Sequence, residues 1–162
     1  MRAPAADCGA CSACCYLMAV PDIQKPSCVH CAHEARPHGG CLVYGTDAKP
    51  QACSDFACLW LVSQSRPTAE RMIYGVRPDR SKVMMHDARD EDNPNVMYVH
   101  VDPAHPGAWR WAPVLDHINQ VMRRGCAVHV IIGMRRIVLE LGKEPVTRDD
   151  GAAARTALRA LA

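Results

Sequence analysis

Three features of this 162-residue chain predict an α+β fold. Nine of its ten cysteines lie before residue 60, in a stretch with no long apolar period. Further on, four apolar runs have the lengths and alternation of strands, and one run repeats its apolar residues every three or four positions, as a helix does. The expected architecture is a small metal-stabilised cysteine-rich N-terminal module with few regular elements. It packs on a small antiparallel or mixed sheet with one or two helices. One compact domain suits this length, divided into a cysteine-rich metal-binding module at 1–62, a small α+β part at 63–148, and a C-terminal helix or frayed tail at 149–162.

The first part is interrupted by Pro21, Pro26, Pro37 and Pro50, and by Gly39, Gly40 and Gly45. A segment so broken cannot bury much of a core, so metal ligation has to supply its cohesion. Leu17, Met18, Val20, Leu42, Val43, Tyr44, Phe56, Leu59, Trp60 and Leu61 are expected to shield the centre and dock it on the remainder, Trp60 as a core side chain.

Ser65, Arg66, Pro67 and Glu70 read as the start of a short helix that Gly75 stops. The runs 82–86 and 96–101 predict two strands of a hairpin, joined through the charged segment 87–94. Val114, Leu115, Ile118, Val121 and Met122 predict a helix over 113–124 that ends at Gly125. Val128, Val130 and Ile132 alternate, as do Ile137, Leu139 and Leu141, giving two strands at 127–132 and 136–141 linked through Gly133 and Met134. Cys126 and the two tryptophans Trp109 and Trp111 are expected in the core, Arg123 and Arg124 at a helix end, and Arg135 and Arg136 in a turn.

The chemistry lies in the cysteines. Cys8, Cys11, Cys14 and Cys15 fall within eight residues as C-x2-C-x2-C-C, and Cys28 and Cys31 form a second C-x2-C pair. Such pairs wrap a tight turn around one metal. Cys41, Cys53 and Cys58 complete a set of nine, an odd number that suits a disulfide framework poorly. Iron–sulfur clusters use the same spacing, so one or two zinc ions and an iron–sulfur cluster both satisfy the pattern. Neighbouring side chains diverge, so Cys14 and Cys15 serve either two different metals or one ligand and one supporting role. Lys25, Arg36 and Lys49 are placed to offset thiolate charge, while His30, His33 and His38 are expected beside the ligands rather than among them.

Several functions are excluded or disfavoured. The chain has no H-E-x-x-H helix and no G-x-G-x-x-G turn. Its apolar runs are too short to span a membrane, and the residues before Cys8 lack the apolar core of a secretory signal, so a cytoplasmic location is expected. With 19 basic and 17 acidic side chains the formal charge is only +2, which gives little field to attract a phosphate backbone.

The order Cys8-x2-Cys11-x2-Cys14-Cys15, Cys41-Leu42-Val43-Tyr44, Lys49-Pro50-Gln51-Ala52-Cys53 and Cys58 resembles the bacterial cysteine-cluster family described as a zinc- or iron-chelating domain. That family's pattern is CxxCxxCC, an isolated cysteine, CxIY, RPxxC and a last cysteine. The resemblance covers about residues 8–62 and implies a ligand set of Cys8, Cys11, Cys14, Cys15, one of Cys28 or Cys31, Cys41, Cys53 and Cys58. Ser12 and Lys49 depart mildly from the family's usual glycine and arginine, and one thiol of the Cys28 and Cys31 pair is surplus. A distant version of the motif occurs in bacterial flagellin lysine methylases, whose methylation does not carry over to this much shorter chain.

The function expected is a metal-binding protein with a structural or metal-handling role, a protein partner and no catalysis of its own. Its alternatives are an iron–sulfur redox protein or enzyme accessory subunit, and a zinc-ordered module for nucleic acid or protein in which Trp109, Arg110 and Trp111 stack a base.

Overall fold

Alternating apolar side chains build the centre of the protein. The computed structural model describes residues 8–35, 39–87 and 95–149. Five strands, β1 (Val83–Asp87), β2 (Val96–Val101), β3 (Ala127–Ile132), β4 (Arg135–Leu139) and β5 (Val146–Asp149), form one sheet in the order β1-β2-β3-β4-β5. The sheet is mixed: β2 and β3 run parallel, and the other neighbours are antiparallel. A parallel pair needs a crossover. Here the crossover carries the helix α5 (Ala112–Arg123).

The register places Val83 and Met85 beside Val101 and Val99, and Met97, Val99 and Val101 beside Val128, Val130 and Ile132. These residues share one face and are buried against Val114 and Ile118 of α5 and against Trp109. Each fully buried aliphatic side chain there contributes about 1.5–3 kcal/mol. Gly125 takes φ +87 just after α5, the left-handed conformation that releases the chain from the helix.

The opposite face carries Met84, His86, Tyr98, His100 and His129 by the same alternation. The cysteine-rich part approaches that face at β1: Phe56 meets the edge of the His86 ring, with centroids 5.3 Å apart. It contains only short helices, α1 (Ala13–Leu17), α2 (Gln51–Asp55) and α3 (Leu59–Gln64), and α4 (Pro78–Ser81) then leads into β1.

Three local expectations need correction, and one strand was not foreseen. No helix spans 65–75; two 3₁₀ turns, Thr68–Glu70 and Tyr74–Val76, stand there instead. Ile73 and Tyr74 are exposed, so the run lacks the apolar stripe that holds so short a helix in place. Gly75 makes room for Trp111, since a Cβ there would lie 2.9 Å from the indole ring. Trp109 fills the core, but Trp111 remains 45% exposed. Arg135 and Arg136 begin β4 rather than forming a turn, because they pair with Ile132 and Ile131 across the Gly133 turn. β5 has four exposed residues and therefore no apolar alternation to read; its pairing with β4 defines it. The joining segment 88–94, the tail 150–162, Arg36 and His38 lie outside the described residues.

Candidate metal centre

The C-x2-C turn forms as its spacing predicts. The Cys11 N–H donates to the Cys8 carbonyl at 2.9 Å, with Gly9 between them at φ +50. α1 follows at once and carries Cys14 and Cys15 on successive positions, about 100° apart around the axis. The chain returns with Cys31, whose N–H donates to the Cys15 carbonyl at 3.1 Å. An antiparallel bridge between Glu34 and Cys41 then brings Cys41 in. Gly40, at φ +83, lies so close to the Gly9 carbonyl that a Cβ would overlap it. α2 contributes Cys53, and Cys58 stands at the N-cap of α3.

These turns place Cys8, Cys11, Cys14, Cys15, Cys31, Cys41, Cys53 and Cys58 on the wall of one cavity of about 340 Å³. All ten cysteines of the chain are free thiols. Val20, Val43, Phe56, Leu61 and the fully buried Met84 supply apolar wall, and Lys49 and His33 supply polar groups. Cys28 is not among the lining residues. It adopts φ +57 and has the Gly133 amide as a hydrogen-bond partner. Cys126, half-buried just before β3, also lies apart from the cavity. Among the described residues no three cysteine, histidine or acidic side chains converge closely enough to hold an ion as they stand. Ligation therefore requires the thiols to move closer together.

The thiols affect one another strongly. The Cys14 thiol donates to Cys15, which brings Cys15 down to about 7 and, with burial, holds Cys14 well above the ordinary thiol range. Burial, then the neighbouring thiols of Cys58 and Cys11, push Cys8 up to about 11. Burial raises Cys58 and Cys11 as well. The N–H groups of Leu61 and Trp60 oppose the rise at Cys58, and those of Ala13 and Asp79 oppose it at Cys11. Amide donors aimed at sulfur favour the thiolate, the form that binds metal.

Two cations flank the cavity thiols. Lys25 is only 7% exposed, and its ammonium donates to the carbonyls of Tyr16 (3.3 Å), Pro26 (3.0 Å) and Met18. Burial lowers its pKa, and Cys31 and Cys15 are the largest of the charges opposing that shift. A buried ammonium demands compensation. Arg77 donates to the Cys8 carbonyl at 2.8 Å and pairs with Asp79 at 3.2 Å, its guanidinium near the Trp60 and Tyr74 rings. Lys49 was expected near the thiols and does line the cavity, whereas Arg77, 19 residues beyond Cys58, carried no local signal. His30 instead meets Glu34 at 2.5 Å and stacks near Tyr16.

Met84 was also not foreseen as cavity wall. Its signal was present: Val83, Met84 and Met85 are a continuous apolar run, the mark of a strand covered on both faces. No family model, curated protein or solved structure matches the chain.

Proposed function

We propose that this chain is a cytoplasmic metal-binding protein that holds zinc or an iron–sulfur centre through its cavity thiols, in a structural or metal-handling role without catalysis of its own. One observation carries the reading: eight of the nine N-terminal cysteines line a single cavity. Soft thiolate donors select zinc and iron over hard cations. Thiols left free in such number suit a reducing compartment. A catalytic zinc keeps an open position, and this donor set exceeds what one ion needs. The likeness to the cysteine-cluster family points the same way, with Cys31 rather than Cys28 filling the isolated position. Among the described residues no helix is long and apolar enough to cross a membrane.

The test is elemental analysis and acid-labile sulfide on protein purified anaerobically, beside its absorption spectrum. Zinc without sulfide is the expected result for the zinc form. Iron with near-equal sulfide and a visible band that bleaches on reduction is expected for the cluster form. A chain that carries neither and takes up neither on reconstitution overturns the proposal.

A further inference from the structure

The cavity thiols fall into two groups by the backbone that carries them. Cys8 and Cys11 share one hydrogen-bonded turn, and Cys14 follows on the first turn of α1. Cys15 is tied to Cys31 by the 3.1 Å backbone bond, and the Cys31 segment is tied to Cys41 through the Glu34 bridge. Cys14 and Cys15 are successive positions of α1, about 100° apart around its axis, and their thiols interact where the groups adjoin. The two groups meet at that pair. Two later cysteines remain to be assigned. Cys58 is placed with the first group through Arg77, which donates to the Cys8 carbonyl and lies over the Trp60 ring of the helix that Cys58 caps, and Cys53 with the second through its neighbour Ala52, whose N–H donates to Asp22 in the turn closed by the Val20–Lys25 bridge.

The cations divide the same way. Arg77 reaches the Cys8 turn, Lys25 donates to the carbonyl of Tyr16, the residue after Cys15, and Lys49 lies on the cavity wall. Four thiolates on one divalent ion leave a net negative charge, so two such sites require more than one buried or half-buried cation.

We infer that the cavity takes two thiophilic divalent cations of the zinc class side by side, one held by Cys8, Cys11, Cys14 and Cys58 and the other by Cys15, Cys31, Cys41 and Cys53. The inference rests on the metal-binding reading above and adds nuclearity and ligand partition. Each site is closed by four sulfurs, and Cys28 belongs to neither.

Anaerobic titration of the reduced full-length chain with cobalt(II), read by its tetrathiolate absorption and by native mass spectrometry, tests it. Two equivalents per chain are expected, with an all-sulfur first shell in X-ray absorption of the zinc form. Cys58→Ser and Cys53→Ser should each lose one equivalent while keeping the tetrathiolate spectrum of the other. A wild-type chain that saturates at one equivalent overturns the partition, as does a first shell containing oxygen or nitrogen. So does iron with stoichiometric sulfide in a single cluster. The wild-type stoichiometry and first shell need no variant to fold. Failure to bind cobalt, zinc or iron at all removes the metal-binding reading itself, which distinguishes the two failures.

Discussion

The backbone N–H of Cys31 donates to the carbonyl of Cys15 at 3.1 Å, and this bond selects between the two thiols of the second C-x2-C pair. It holds Cys31 against α1, where it is buried and lines the cavity. Three residues earlier, Cys28 occupies the left-handed region at φ 57 and has the Gly133 amide for a partner. A spacing that reads as a symmetrical pair is thus split between two surroundings.

The split predicts opposite outcomes for two similar substitutions. Cys28→Ser should leave metal content unchanged and stability within about 0.5 kcal/mol, as for substitutions away from the core machinery. Cys31→Ser should lower the metal bound per chain. Elemental analysis of both proteins, purified side by side, checks this; equal losses would contradict the assignment of Cys31.

Much of this arrangement was legible because it depends on local spacing. The strands at 96–101 and 127–132 are found where alternation placed them, and α5 (Ala112–Arg123) covers nearly the predicted span. The C-x2-C turn at Cys8 also follows from four residues alone. What was not legible depends on contacts between distant segments. Which of Cys28 and Cys31 turns inward is decided by a carbonyl 16 residues back from Cys31, and Arg77 reaches the Cys8 turn from 69 residues away. β5 is an exposed edge whose partner strand, rather than its own side chains, defines it.

Lys25 is predicted to set the pH at which metal enters. Its ammonium is held by three carbonyls and faces the thiols of Cys31 and Cys15. Lys25→Met removes a positive charge that favours the thiolates and leaves those carbonyls without their donor. Stability should fall by about 1–3 kcal/mol, and the pH midpoint of zinc or cobalt uptake should move upward. Metal-binding curves over a pH series read the shift. An unchanged midpoint would show that the ammonium does not act on the ligands.

Gly40 joins the Cys8 turn to the Cys41 segment. It takes φ +83, and a Cβ would overlap the Gly9 carbonyl oxygen. Gly40→Ala combines the left-handed penalty of about 1–2 kcal/mol with that overlap. The two segments should move apart, weakening metal binding while the sheet of Val83–Asp87 through Leu139 keeps its circular dichroism. Cobalt titration alongside far-ultraviolet spectra separates these effects; full affinity in the alanine variant would refute the close approach.

The imidazoles of His86 and His100 give the sheet half its own acid sensitivity. Their Nε2 atoms are 3.2 Å apart, and His86 Nδ1 lies 3.2 Å from the Asp87 carbonyl. With Nδ1–H donating to that carbonyl, His86 Nε2 accepts from His100 Nε2–H. Burial, and then His86, bring His100 down to about 4. The unfolded chain takes up this proton near pH ~6.5, while the native protein resists it until much lower pH. Between those values the unfolded state binds more protons, so stability falls as pH drops. The contribution is fully present above pH ~6.5 and is lost progressively toward pH 4, by at most about 3 kcal/mol. Burial lowers His86 as well, so His100→Leu should reduce the slope of unfolding free energy in this window without abolishing it. Urea unfolding at several pH values measures that slope, and identical slopes in the wild type and the variant would exclude a half-buried neutral His100 as its source.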